Sequence, residues 1–483
     1  MNEHNPVTVT LLHTNDLHSD LEAAARIAAY VKDVRGSVSA DRLLLVDCGD
    51  HTDRARMETE GTKGRVNRAI LEATGYEAVA IGNNEGLTFT RPELNALYED
   101  VPFPVLCANL AARPEGTQPD WLRPVAVLRK GGVRFGLVGL TAPFRLFYEP
   151  LGWRVEDPFA AARDAVERLK AQCDVVVVLS HLGLSSDERL AREVPGIDLI
   201  LGSHTHHLLE QPVRVGNTYI CAAGKSGRYI GHLEIDCLPG GGVTDIRGGC
   251  VRLDGRPEDP GILRIIGEAR EQARQAMGRP VAKLEVPLDV RLHRESPLPV
   301  LLAIALRQAT GAQIGLTNNG QLLAGLPAGT VTWETLHAIC PSPINPALIT
   351  IRGRQLRQAL EESLLPEFYG MKFQGFGFRG VALGGLSFDG MEAVADLRQP
   401  PRYRLIDVRI GGEPLDESRE YTVGTLDMFT FGVGYKALKE GQVIRYLLPE
   451  FIRDVLARAL NDPLAVRSSL RPRWRYCDDT SVH

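Results

Sequence analysis

Five apolar runs in the first half of the chain each stop at a short cluster of oxygen- and nitrogen-bearing residues, and any fold of this sequence has to account for that series. Val7 to Leu12 leads into Asn15-Asp16-Leu17-His18, Leu43 to Val46 into Gly49-Asp50-His51, and Ala78 to Ile81 into Gly82-Asn83-Asn84-Glu85. Val175 to Leu179 leads into Ser180-His181, and Ile197 to Leu201 into Gly202-Ser203-His204-Thr205-His206. Short apolar runs of this kind read as strands. The carboxyl ends of strands in α/β sheets converge on one crevice, so these distant clusters can meet at one point. Carboxylate, amide oxygen and imidazole together suit a divalent transition metal, and they are numerous enough here for two ions that share a carboxylate.

Up to about Leu253 the strand-like runs alternate with helix-like ones at Leu21 to Val34, Arg65 to Ala73, Pro92 to Tyr98 and Phe159 to Ala171. Gly36 and Gly75 stand just past two of these helices, where a left-handed cap is expected. Val125 to Leu128 and Val133 to Leu140 flank Arg129-Lys130-Gly131-Gly132, a hairpin signal. Thr218 to Ala222, Tyr229 to Asp236 and Thr244 to Leu253 then follow with no helix between them. The mixture predicts a layered α/β domain rather than a simple doubly wound sheet. Asp254 to Gly261 reads as a linker, and Ile262 to Met277 as an exposed, charged helix. Beyond it the pattern changes to helices at Leu298 to Ala309 and Arg354 to Glu362, short strands and a glycine-rich stretch from Gly375 to Gly390. The expected division is residues 1–253, a linker and connecting helix at 254–280, and a smaller α+β domain at 281–483.

Composition excludes some functions. A net charge of -5 gives no footing for a nucleic-acid polymer. No run approaches the roughly 18 apolar residues that a membrane span requires. The eight cysteines are scattered singly, and the start, Met1 to Pro6, has no basic segment followed by an apolar one. A cytoplasmic protein that binds a small molecule is expected.

Taken singly, each cluster has a bland reading. Asp-x-His and Gly-Asp are common turns, and Gly-Asn is a common loop after a strand. The two histidines of His204-Thr205-His206, at a strand end, are more telling than a lone one. The ordered series Asp-x-His, Gly-Asp, Gly-Asn-x-Glu, strand-His, Gly-x-His-x-His resembles the calcineurin-like metallophosphoesterases. The resemblance implies a β-sandwich flanked by helices, with Asp16, His18, Asp50 and His206 around one divalent ion and Asp50, Asn83, His181 and His204 around the other. Mn, Zn, Fe or Co are all compatible with such ligands. It further implies phosphate release by a hydroxide held between ions roughly 3.5–4 Å apart. The resemblance extends past the linker. Leu316-Thr-Asn-Asn-Gly320, Gly329-Thr-Val-Thr-Trp-Glu-Thr-Leu336 and Ile349-Thr-Ile-Arg-Gly353 are similar to the C-terminal substrate domain of the 5'-nucleotidase and UDP-sugar hydrolase family.

Some positions depart from the family. Where it usually reads Gly-Asn-His, with a histidine assisting at the phosphoryl group, this chain has Asn84, which can donate a hydrogen bond but not a proton near neutral pH. General acid help is worth roughly 10²–10⁴ in rate, so Asn84 and the bridging Asp50 are the two positions on which catalysis turns. His51 and His207 adjoin ligands and are expected to be supporting or surface residues. The family's nucleotide-binding arginine is missing from Asn318-Asn-Gly-Gln-Leu-Leu323, and its ribose-binding carboxylate from Phe431-Gly-Val-Gly-Tyr435. Arg379, Phe376, Phe378, Phe429 and Phe431 are the substrate-binding candidates in their place, with packing of a glycine-rich sheet as the alternative. These departures resemble a YunD-like intracellular branch that also carries Gly-Asn-Asn-Glu. The expected function is two-metal hydrolysis of a small, nucleotide-like phosphorylated metabolite, favouring leaving groups that need little protonation. The alternatives are a metal-bound but catalytically weak or inactive nucleotide-binding protein, and a phosphodiesterase.

Overall fold

In the computed structural model the described residues are 6–115, 117–238, 240–373 and 375–477, so the Met1 to Asn5 stretch of the expected start lies outside them. The chain forms two compact units that divide between Ala273 and Arg274, within the continuous helix Pro260–Met277.

The first unit is a sandwich of two mixed sheets. One runs in the order Gly242–Arg252, Tyr229–Leu238, Val7–Thr14, Leu43–Asp47, Ala78–Ala80, Val105–Leu106, Leu122–Arg123. The other runs Val213–Val215, Thr218–Cys221, Leu199–Gly202, Val175–His181, Val133–Thr141, Val125–Lys130. Alternation along the strands explains the layering. Val9, Leu11, Leu44 and Val46 of the first sheet share one core with Phe135, Leu137, Val177 and Leu179 of the second. The opposite faces of the same second-sheet strands, at Val138, Leu140, Val176 and Val178, pack on Ala162, Val166 and Leu169 of the helix Pro158–Leu169. A strand buried on both faces reads as an unbroken apolar run, which is why Val175 to Leu179 shows no polar alternation.

The helices fall where the periodicity puts them, with one local difference. Gly75 caps Arg65–Thr74 at φ +78°, as expected. Gly36 does not cap its helix. That helix runs on through it, from Leu21 to Ser37, and ends at Val38 in an extended conformation. Nothing forces a left-handed turn there, because Val38 N–H still reaches the Val34 carbonyl at 2.8 Å.

The second unit is α+β. Its five-stranded sheet has the order Leu386–Asp389, Ile314–Asn318, Glu420–Leu426, Pro346–Arg352, Gln442–Tyr446, and a four-stranded sheet accompanies it. The apolar helix Pro297–Thr310 is buried along most of its length in a core with Ile314, Leu316, Ile349, Val423 and Phe429. Before the boundary, the Pro260–Met277 helix is tied to the first unit by Arg270 Nε, which donates to Glu58 at 2.8 Å, and by Ala273 against Gly61. The span read as a separate connector at 254–280 thus contributes contacts to the first unit's fold.

Candidate metal centre

Asp16 follows the strand Val7–Thr14, Asp50 follows Leu43–Asp47, and Asn83 opens the short helix Asn83–Thr88 just after Ala78–Ala80. These strands are neighbours in the first sheet. His181 closes Val175–His181, and His204 and His206 follow Leu199–Gly202, neighbours in the second sheet. The site therefore draws on the strand ends of both layers. Backbone bonds hold the loops in register: Asp16, His18 and Ser19 N–H donate to the carbonyls of Gly49, Asp50 and His51 at 3.0, 2.9 and 3.0 Å. Across the sandwich, His204 N–H donates to both Asp16 carboxylate oxygens, at 3.0 and 3.1 Å.

Two glycines make the approach possible. A Cβ on Gly49, which sits at φ +92°, would stand 2.5 Å from Gly82 N, and one on Gly82 would stand 2.1 Å from Asp50 Oδ1. The ligand-bearing residues themselves accept an unfavourable backbone. Asp16, His18, Asp50, His204 and His206 all have φ between 49° and 72°. For residues with a Cβ this region is sparsely populated, and its concentration here is a mark of function.

The donor atoms fall into two overlapping sets, Asp16 with His18 and His206, and Asp16 with Asp50 and His181. Asp16 Oδ1 lies 3.8 Å from His18 Nε2 and 3.5 Å from His206 Nε2, and these two nitrogens are 3.0 Å apart. Asp50 Oδ2 is 3.9 Å from His18 Nε2. On the other side, Asp50 Oδ1 is 3.3 Å from His181 Nε2, which is 3.2 Å from Asn83 Oδ1. The His204 ring is 5.2 Å from that of His181. Every candidate ligand named from the sequence thus lies in one cluster.

Electrostatics favour a cation in it. Asp16 and His181 are wholly buried and Asp50 nearly so. Burial opposes charge on His181, yet Asp50 and Asp16 outweigh it and raise the imidazole to about 10. Burial would likewise raise Asp50, but His181 and His18 hold its carboxyl well below the usual range. Asp16 is raised, chiefly by burial. His204 and His206 are lowered to about 4 by burial, so they are neutral at pH 7 with lone pairs to offer. Without an ion, the carboxylates recruit positive charge onto His181, in the place a metal would supply it. His181 Nδ1 donates to the Cys48 carbonyl at 2.9 Å, an orientation that aims Nε2 at the centre. The residues present therefore fit divalent metal.

Several contributors were not assigned roles from the sequence. Glu85 is buried and accepts from the backbone N–H of Gly82, Asp50 and Thr52 at 3.0, 3.0 and 2.8 Å, and from the Thr52 hydroxyl at 2.8 Å. Its place three residues after Gly82, at a helix start, is the spacing of a capping carboxylate, and that was the available signal. Phe144 sets its ring edge-on to His204 at 5.8 Å, and no local pattern announces that. Of the adjoining histidines, His51 is buried beside Asn67 and Tyr76, and His207 is exposed beside Thr205.

In the second unit the aromatic candidates divide. Phe378 and Phe429 are core residues, 3% and 0% exposed, packed on Phe373 and Tyr435. As side chains inside the sheet domain they are not available as open contact surfaces. Phe376 is 57% exposed, at φ 52°, and stacks on Phe431 with ring centres 5.8 Å apart. Arg379 is anchored by its backbone N–H on the Ser342 hydroxyl and by Nη1 on the Phe378 carbonyl.

A sandwich of mixed sheets with Asp, Asn and His gathered at its strand ends, followed by an α+β unit, defines a two-domain metallophosphoesterase. The calcineurin-like phosphoesterase family model matches residues 9–208, and the model of the 5'-nucleotidase C-terminal domain matches residues 280–440. The chain is 34% identical over 452 residues to the uncharacterised metallophosphoesterase YunD of Bacillus subtilis (strain 168), covering 92% of this chain and 98% of that one. It is 25% identical to the 5'-nucleotidase of Bos taurus over 91% of this chain and 86% of that protein. The solved 5'-nucleotidase precursor of Thermus thermophilus superposes with a TM-score of 0.61 at 25% identity, over 98% of this chain and 100% of the other. The NAD nucleotidase of Haemophilus influenzae shares the fold, with a TM-score of 0.68 at 16% identity over 99% of each chain. The chain belongs to this metallophosphoesterase family and is a hydrolase of phosphoester bonds, of the 5'-nucleotidase type. The family uses divalent metal, and no helix among the described residues is long and apolar enough to cross a membrane.

Proposed function

We propose that this protein is a two-metal phosphohydrolase that releases phosphate from a small, nucleotide-like phosphorylated metabolite. The observation that carries the reading is Asp50, whose two oxygens face different groups of nitrogen ligands, His18 on one side and His181 on the other. Asp16, His18, Asp50 and His206 would hold one ion, and Asp50, Asn83, His181 and His204 the second. Bound there, such ions supply an activated water and neutralise the phosphoryl oxygens. Mn, Zn, Fe and Co all suit the mixed ligands.

The chain's own residues set what kind of ester it handles. Asn84 stands at the family's proton-donor position and has no proton to transfer at neutral pH. His204 and His206 are neutral there as well. Leaving groups that depart as stable anions, anhydrides and aryl phosphates, are therefore favoured over alkyl monoesters. Nucleotide-like character is supported by the names of the relatives, 5'-nucleotidase and NAD nucleotidase. On the second unit, Phe376 and Phe431 offer the aromatic surface, with Arg379 beside Phe378 as the anion-binding candidate and Phe378 and Phe429 supporting from the core. All eight cysteines are free, which supports a cytoplasmic setting.

Asn84 also favours a second reading, a metal-bound protein that binds nucleotide without turnover. A panel of phosphate monoesters, diesters and anhydrides assayed with added Mn²⁺ separates the readings. Turnover of anhydrides or aryl monoesters is the expected result. Release of phosphate from none of them contradicts the phosphohydrolase, and exclusive diester cleavage moves the function to a phosphodiesterase.

A further inference from the structure

The first unit sets an aromatic ring against the His204 side of the centre. Phe144 lies with its ring centre 5.8 Å from that of His204 and the two planes at 64°. Its backbone is fixed. Phe144 N–H donates to the Ala142 carbonyl at 2.9 Å, and its own carbonyl accepts from the N–H groups of Phe147 and Tyr148, both at 3.0 Å. Tyr148 is wholly buried, with its hydroxyl 3.1 Å from that of Thr141. A Cβ on Gly86 would stand 2.5 Å from the same hydroxyl, so this segment is packed on the helix that opens with Asn83 and Asn84. Phe144 itself stays partly exposed beside the ligand, where a residue that only filled space would be covered.

Charge is distributed the other way. The charged groups that bear on His204 are His181, Asp50 and His18, all members of the centre, so the exposed Arg145 next to Phe144 brings none to this side. On the other side, His206 is lowered by burial, by His18 and by the half-buried Lys225. The loop of Lys225 is tied to the centre by Asn15 Nδ2, which donates to the Gly224 carbonyl at 2.7 Å, and by Ser226 N–H, which donates to the Asp16 carbonyl at 2.8 Å. An ester bound here has its anionic phosphoryl oxygens drawn to the cationic side, and its organic group is left the side that Phe144 lines. A ring in contact with a ligand imidazole reaches only what is joined directly at the ester oxygen, and a base carried beyond a sugar is out of its range. Asn84 does not offer that oxygen a proton, since its Nδ2 donates to the Thr52 carbonyl at 3.0 Å and lies 2.9 Å from His18 Nδ1. A phosphate leaving group would carry several charges into contact with hydrocarbon, which is costly. A phenol leaves as a stabilised anion and gives the Phe144 ring an aromatic partner.

We propose that Phe144 is a specificity-determining residue that seats an aromatic ring joined directly to the phosphoryl oxygen, so that the preferred substrate is the monophosphate ester of a phenol. The proposal rests on the phosphohydrolase reading above and chooses between the two leaving-group classes which that reading allows. Water adds its oxygen to phosphorus, the bond from phosphorus to the phenolic oxygen breaks with its electron pair going to that oxygen, and the phenolate takes its proton from solvent as hydrogen phosphate is released.

The test compares phenyl phosphate with a fluorinated alkyl phosphate whose alcohol matches phenol in acidity, and with pyrophosphate, all on the Mn²⁺-loaded full chain. Matched acidity removes the leaving-group effect, and the ratio of the two ester kcat/KM values cancels any change in metal content or ligand posture common to both. Wild type should favour phenyl phosphate over the fluoroalkyl ester and over pyrophosphate by about tenfold. Phe144→Leu should bring the aryl-to-fluoroalkyl ratio below about twofold, chiefly through KM, and Phe144→Tyr should keep it. A residue that only packed on His204 would lower both esters alike and leave the ratio untouched. A wild-type ratio near unity, pyrophosphate outrunning phenyl phosphate, or a ratio that survives in Phe144→Leu overturns the proposal and leaves the phosphohydrolase standing. Should Phe144→Leu fail to fold, inhibition of wild type decides: phenylphosphonate is expected to inhibit about tenfold better than methylphosphonate, and equal inhibition overturns the proposal. Release of phosphate from none of the three substrates overturns both readings.

Discussion

His18 Nε2 and His206 Nε2 stand 3.0 Å apart with their ring planes at 89°, although 188 residues separate them in the chain. Two imidazoles aimed at one spot beside the buried Asp16 carboxylate form one half of the centre. The proposed second half draws on His181, 3.3 Å from Asp50 Oδ1, and on His204, whose ring lies 5.2 Å from that of His181. Replacing His206 and His204 by alanine, one at a time, is therefore expected to remove different ions. Mn²⁺ titration of the two variants should each lack one binding phase, and not the same one. Loss of the same phase from both would contradict this partition.

The missing proton donor makes a kinetic prediction. Among phosphate monoesters of graded alcohol acidity, kcat/KM should climb steeply as the leaving group becomes a better anion. Alkyl esters should trail aryl esters by roughly 10²–10⁴, the usual worth of general acid help. A flat series would show that some other group delivers the proton.

Glu85 gives a prediction about stability. Its carboxylate accepts from three backbone N–H groups and one hydroxyl, and Glu85→Ala would leave them buried without partners. Each buried donor left unsatisfied costs about 1–3 kcal/mol. Urea denaturation of the metal-free protein should register that loss for Glu85→Ala and a smaller one for Glu85→Gln, which keeps a single acceptor oxygen. Stability unchanged in both variants would mean that solvent reaches these groups.

Asp47 sets a pH dependence. It is buried, and although the Thr14 hydroxyl and Gly49 N–H donate to it, burial pushes its carboxyl up to about 8. The folded protein then binds this proton more tightly than the unfolded chain does. Its contribution to stability is present at low pH and is lost as pH rises from the ordinary carboxylate range through about 8. In EDTA, Asp47→Asn should flatten the decline of melting temperature between pH 5 and pH 8. An equally steep decline in the variant would exclude Asp47 as its source.

The strand-end clusters were legible because an apolar run followed by polar residues is a local pattern, and all five runs became strands with their ligands at the carboxyl end. Pairing is not local. Nothing near His181 announces that its strand lies between Val133–Thr141 and Leu199–Gly202 in a separate sheet from Asp16 and Asp50, and the sandwich came from the family resemblance. Gly36 misled because a glycine near a helix end usually caps, whereas here the backbone hydrogen bonds carry on past it. The burial of Phe378 and Phe429, against the exposure of Phe376 and the half-burial of Phe431, depends on which face of a glycine-rich segment meets the core. No period in that segment encodes it. The bonds of Asn84 to residues of two other loops were equally out of reach.

The central claim is that Asp50 joins two divalent ions, and the most direct measurement is electron paramagnetic resonance of the Mn²⁺-loaded protein with its metal content determined on the same sample. Wild type should hold two ions per chain and give the spectrum of an exchange-coupled pair, and Asp50→Ala should lose both that coupling and nearly all turnover. A single uncoupled ion per wild-type chain, or a coupled pair that survives in Asp50→Ala, would contradict the account.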